Sequence, residues 1–157
     1  MIDIEGLFIN AGKDDVVVYK NNILHQKDVV RIAKKQRIKV VFKSTSSEWR
    51  QGIAVKVDGE ILVAGQRLKK MCYFWQDTAP QMFEFAVVSK KDKPDLHVKN
   101  IWDSGNGNAD SCHNGAAMIV EISGSIRLYR CNDGHPDDDF DDLVFSLELL
   151  PDDDLCV

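Results

Sequence analysis

The chain has 157 residues, 44% of them hydrophobic and 29% charged, with 20 basic and 25 acidic side chains for a net charge of −5. That length suits one domain, 1–157, burying roughly two-thirds of its unfolded surface. The apolar content excludes a disordered chain, and no apolar run of about 18 residues is there to span a membrane.

All 20 basic side chains fall within residues 1–132, whereas 133–157 carries 10 acidic ones and no basic one. Acid is thus concentrated in one segment, and repulsion from phosphate is expected. Arg31, Lys34, Lys35, Arg37, Lys39 and Lys43 form a local basic stretch. It lacks interleaved aromatics and any nucleic-acid motif, so no nucleic-acid partner is expected. Met1-Ile2-Asp3-Ile4-Glu5 lacks the basic start and apolar core of a signal peptide. A soluble cytoplasmic protein is the expectation, with non-classical export as the alternative. Cys72, Cys112, Cys131 and Cys156 show no C-x-x-C spacing, which speaks against a zinc ribbon and for reduced thiols. Cys112 and Cys131 flank a hairpin, so a disulfide between them is the alternative in an exported form.

Period-two alternation dominates the chain, the mark of half-buried strands. Strands are expected at 6–9, 16–19, 38–43 and 53–57, where Asp58-Gly59 signals a two-residue turn into 61–63. Met71–Asp77 alternates as well, with Tyr73 and Trp75 on one face and Cys72 and Phe74 on the other. Further strands are expected at 82–88, 96–102 and 118–122, then 126–130 after a Gly124-Ser125 turn, and finally 143–149. Residues 26–36 are the one helix candidate: Asp28 is a capping residue, and Val29, Ile32 and Ala33 have helical spacing. Val30 and Ile32 also alternate as in a strand. Many short strands between turns predict an all-β, antiparallel β-sandwich, Greek-key or jelly-roll-like, with at most one short helix.

Two long polar stretches, 103–115 and 132–142, flank the 118–130 hairpin and are expected to converge at one end. The second holds Asp137, Asp138, Asp139, Asp141 and Asp142, which repel one another unless solvated or bridged by a cation. Carboxylates on a short loop suit calcium, a hard ion that takes six to eight oxygens. In an extended segment Asp137, Asp139 and Asp141 point one way and Phe140 packs the other. The alternative is a solvated acidic turn that guards a strand edge. The run Asp152-Asp153-Asp154 reads as a solvated tail.

Pro136-Asp137-Asp138-Asp139-Phe140-Asp141-Asp142-Leu143-Val144-Phe145 resembles the D-x-D-F-N-D-L-V-F segment of bacterial surface β-domains of the LruC type. The resemblance covers about ten residues. It implies calcium held beside a terminal strand, with Asp137, Asp139 and Asp142 at the acidic positions and Asp141 where Asn is usual. The chain departs from that family in lacking an export signal.

In the first stretch, Gly105 and Gly107 permit positive φ, and Asn106, Asn108 and Asp110 offer partners for hydroxyls or a metal; a plain flexible loop is the alternative. Ile101-Trp102-Asp103-Ser104-Gly105-Asn106-Gly107-Asn108 is similar to the W-D-N-N-x-G-x-N segment of starch-binding β-sandwich modules. That similarity implies a sugar surface, so Trp102, Asp103, Asn106, Asn108 and Asp110 join the candidate ligand residues. Aromatic faces pack on sugar rings. Core burial competes for each of Trp49, Trp75 and Trp102, and Trp75, followed by Thr78-Ala79-Pro80, is the candidate for exposure.

No enzyme is expected. Cys112 and His113 are adjacent and face apart, His135 sits beside the acidic run, and His25 and His97 read as structural. No phosphate loop, G-x-S-x-G or H-E-x-x-H is present. The expected function is a non-enzymatic, calcium-organised module that recognises a glycan or protein surface through loops 103–114 and 132–142. Asp137, Asp139, Asp141 and Asp142 are its metal candidates. The alternatives are a small inhibitor or immunity-type protein masking a basic partner, and a lectin-like toxin lacking a signal peptide.

Overall fold

The computed structural model describes Phe8 and residues 16–112, 116–134 and 139–151. Among them eleven strands make one sheet. They are β1 (Val16–Tyr19), β2 (Asn22–His25), β3 (Asp28–Arg31), β4 (Lys35–Thr45), β5 (Arg50–Val63) and β6 (Gln66–Trp75). β7 (Met82–Val88), β8 (Asp95–Asp103), β9 (Ala117–Ser123), β10 (Ile126–Asn132) and β11 (Leu143–Leu150) follow. The spatial order is β1-β2-β9-β10-β11-β4-β7-β5-β8-β3, with β6 also paired to β5. All of these pairs are antiparallel, and the sheet curls into a half-barrel.

Alternation decides the two faces. On β4, Ile38, Val40 and Phe42 point inward, while Arg37 and Lys39 lie on the outer side. Curling brings strands from distant places in the order onto one core, where Val30, Val55, Phe85, Val98, Met118 and Tyr129 are all buried. Each such large apolar side chain contributes roughly 1.5–3 kcal/mol of transfer free energy. A smaller cluster gathers Phe8, Leu24, Ala117 and Phe140. The expected strand at 6–9 lies outside the described residues apart from Phe8.

Two local expectations are overturned. Residues 26–36 form no helix: 28–31 are β3, which pairs with β8 from Asp28↔Val98 to Arg31↔Asp95, and β4 begins at Lys35. The β-branched pair Val29-Val30 suits a pleated surface, and tertiary pairing overrides a helical spacing. Asp58-Gly59 is likewise no turn, because β5 runs through it with an irregularity in its pairing between Lys56 and Glu60. A Cβ on Gly59 would lie 2.6 Å from the Val88 carbonyl oxygen, and Ser89 Oγ donates to the Asp58 carbonyl at 2.7 Å. The glycine admits a neighbouring backbone. The hairpin turn comes at Ala64-Gly65, both with positive φ (51° and 74°), as in a type I′ turn.

Candidate functional site

The end of β8 and the end of β10 meet at the loop end of the sheet. Trp102 is buried at 1% exposure, and a Cβ on Gly134 would fall 2.7 Å from its Cζ2. Asn100 Nδ2 donates to the Asn132 carbonyl at 2.8 Å. The bases of the two long loops therefore converge, as their positions around the hairpin suggested. Trp102 is covered by protein on this side and stands inside the site instead of forming an open stacking surface.

Beyond Trp102 the chain folds back on itself. The Trp102 amide donates to the Asp110 carbonyl at 3.1 Å, and the Asp110 amide donates to the Trp102 carbonyl at 2.8 Å. Asp103 Oδ1 accepts from the amides of Gly105 (2.8 Å) and Gly107 (3.1 Å), and Asn106 Oδ1 accepts from the Asn108 amide at 3.1 Å. Gly105 and Gly107 have φ of 113° and 79°, the freedom this turn requires. Asp103 and Asn106 thus shape the loop. Asn106 and Asn108 are exposed, and Asp110 is half-buried.

The acidic segment divides into exposed and buried carboxylates. Asp139 and Asp141 are exposed, flanking a Phe140 that is buried and has φ of 53°; its amide donates to Asn132 Oδ1 at 2.6 Å. Asp142 is buried, and its Oδ2 accepts the amide of Asp133 at 2.9 Å. Asp137 lies outside the described residues. Asp133, which the sequence did not single out, is fully buried: its Oδ2 accepts from Ser47 Oγ at 2.6 Å and from Gln51 Nε2 at 2.9 Å. Gln51 is also buried, and its Oε1 has no hydrogen-bond partner among the described residues. The result is a buried, oxygen-rich network tying β5 to both ends of the acidic loop. Among the described residues no three His, Cys, Asp or Glu side chains group as a metal-ligand set.

A second buried polar group lies where β3 meets β10. Asp28 Oδ2 accepts from the Tyr129 hydroxyl at 2.6 Å and from Arg127 Nη1 at 2.9 Å. Burial, with the Asp28 charge adding to it, drives the Tyr129 phenol far above its ordinary pKa. His25 is held below its ordinary pKa by burial; Asp28 opposes that shift and Arg127 adds to it.

Other candidates fall elsewhere. Trp75 is half-buried with the Arg50 guanidinium 4.3 Å from its ring centre, and Arg50 Nε pairs with Asp77 Oδ1 at 2.7 Å. Tyr73, on the same face, is exposed. Within the basic stretch, Arg37 makes a two-pronged pair with Glu84 (Nη2 to Oε1 3.0 Å and to Oε2 2.9 Å) and Arg31 lies 3.6 Å from Asp95. Cys72, Cys112 and Cys131 are free thiols, and Cys112 Sγ instead donates to the Gln26 carbonyl at 3.6 Å.

No family model, curated protein or solved structure matches the chain. Among the described residues no helix is long and apolar enough to cross a membrane.

Proposed function

We propose that the protein is a non-enzymatic binding module whose loop end is organised by calcium and recognises a glycan or protein surface through residues 103–114 and 132–142. The observation that carries this reading is Gln51 Oε1, a buried amide oxygen with no donor among the described residues, on a side chain that also bonds Asp133. An unmet buried polar atom costs about 1–3 kcal/mol. A hard cation satisfies such an oxygen together with carboxylates, and the oxygen-only donors Asp133, Asp142 and Gln51 fit calcium better than a soft metal. Asp137, Asp139 and Asp141 belong to the same short acidic segment and supply its remaining negative charge.

The same reading takes the curled sheet as a sandwich of the Greek-key or jelly-roll kind. Asn100 on β8 and Asn132 on β10 bond to each other although β8 and β10 are not neighbours in the sheet. Opposed layers of this kind leave the surface loops free to recognise a partner, as in other sandwich modules.

The test is a set of melting curves in EDTA, in calcium and in magnesium. A specific site gains about 2.7 kcal/mol at a hundredfold excess over Kd. A calcium-selective rise that disappears in Asp142→Asn supports the reading, and coincident curves in all three conditions overturn it. Glycan-array binding by the calcium-loaded chain then separates a sugar ligand from a protein one.

A further inference from the structure

On its outer face the sheet carries a groove of about 390 Å³ lined by Lys27, Ala54, Lys56, Met71, Tyr73, His97, Val98 and Lys99. The strand register explains this lining. Ala54 on β5 lies between Tyr73 on β6 and Lys99 on β8, and Lys56 lies between Met71 and His97. Ala54, the shortest side chain of these two rows, is buried at 3% exposure and forms a floor. Met71 and Tyr73 are 46% and 45% exposed, so they form walls open to solvent. Lys27, Lys56 and Lys99 are the charged residues of the lining, and among the described residues no carboxylate lines the groove. Residues 1–132, which hold all of this lining, carry 20 basic against 15 acidic side chains, so the groove concentrates a positive charge already present in that part of the chain.

We propose that this groove binds a phosphate ester carried on a single ring, a nucleoside phosphate or a sugar phosphate. Ammonium groups act as point charges for phosphate and need no fixed fork geometry. The flat face of Tyr73 and the thioether of Met71 offer packing for one ring. A strand of several bases asks for several stacking aromatics, and among the described residues Tyr73 alone of the Phe, Tyr and Trp side chains lines this groove. The volume falls in the range of small-molecule sites, roughly 300–1,000 Å³. None of these lining residues belongs to loops 103–114 or 132–142, and the proposal stands whether or not calcium binds there.

The experiment is calorimetric titration of the full chain with a nucleoside diphosphate, a hexose bisphosphate, inorganic pyrophosphate, an uncharged nucleoside and a short single-stranded oligonucleotide. One of the two ring-bearing phosphates is expected to bind at least about tenfold more tightly than pyrophosphate and than the uncharged nucleoside, and which one it is names the carrier. Lys56→Gln and Lys99→Gln are each expected to weaken it by about tenfold. Tyr73→Ser is expected to reduce the affinity toward that of pyrophosphate, with melting curves confirming that each variant folds. Absence of binding at millimolar concentration, equal affinity for pyrophosphate, indifference to the lysine changes, or a clear preference for the oligonucleotide would each overturn the proposal.

Discussion

The hydroxyl of Tyr129 donates to the carboxylate of Asp28 across 2.6 Å, linking β10 to β3, which stands at the far end of the strand order. Arg127 adds a bond of 2.9 Å to the same oxygen, so the buried charge has both a neutral donor and a counter-ion. Tyr129→Phe keeps the ring stacked on Phe145, 4.5 Å between centroids, and removes only the donor. A bond to a charged group of this kind is worth about 1.5–3 kcal/mol, and that loss is expected in a urea titration. Arg127→Met strips the counter-charge and is expected to cost more, about 3–5 kcal/mol. Unchanged midpoints in both variants would show that this cluster does not hold the curl.

His25 sets a pH dependence whose sign follows from its lowered pKa. The unfolded chain takes up the proton at a higher pH than the folded one, so acid favours unfolding. Stability is expected to be fully present above about pH 6.5, the unfolded value, and to fall as the pH drops toward the folded value. His25→Gln should flatten this part of the profile, measured as denaturation midpoints between pH 8 and pH 5. A wild-type profile that rises on acidification over that range would contradict the sign.

Two glycines separate steric from conformational cost. A methyl at Gly134 meets the Trp102 ring at 2.7 Å, whereas Gly65 (φ of 74°) has open space around it. Gly134→Ala is expected to cost about 1–3 kcal/mol through overpacking and to shift tryptophan emission. Gly65→Ala should pay only the left-handed backbone penalty, about 1–2 kcal/mol, and leave emission unchanged. Emission spectra of the two variants decide this.

Cys131 is fully buried, and burial holds its thiol well above the ordinary pKa, with Asp142 contributing. The thiolate is the reactive form, so labelling of Cys131 by a thiol reagent is expected only when the chain opens. Peptide mapping after timed alkylation should find Cys131 unmodified under native conditions and modified in denaturant. Rapid native labelling would contradict this account of its burial.

How much of this was legible beforehand depended on whether the deciding contact was local. β4, β8 and β10 were readable because one face is buried and alternation records it, as in Leu96, Val98 and Asn100 inward against His97 and Lys99. The Gly124-Ser125 turn was readable because Gly124 supplies the positive φ, 61°, that a short hairpin turn requires. Asp58-Gly59 carries the same signal for a different reason, the close approach of the Val88 carbonyl, and only tertiary contact tells the two apart.

The loop end was readable in outline and hidden in its interior. Asp142 belongs to a visible acidic run, but its meeting with Asp133 depends on the path of the loop between them. Asp133 gives no signal of its own, since its partners Gln51 and Ser47 lie 82 and 86 residues away in the chain. The lysine groove is illegible for the same reason, its charges coming from Lys27, Lys56 and Lys99 on separate segments.

β11 stands between β10 and β4, pairing with one along Ile126↔Glu148 to Cys131↔Leu143 and with the other along Leu150↔Arg37 to Leu143↔Thr45. In the strand order it separates β1-β2-β9-β10 from β4-β7-β5-β8-β3, and it is the last described strand to leave the ribosome. Without residues 143–150 the two runs share no strand pairing among the described residues, and β10 and β4 each lose a partner. A chain that lacks β11 is expected to expose two adhesive edges at once, so truncation before Leu143 should promote aggregation more than loss of β1, which among the described residues pairs on one side only.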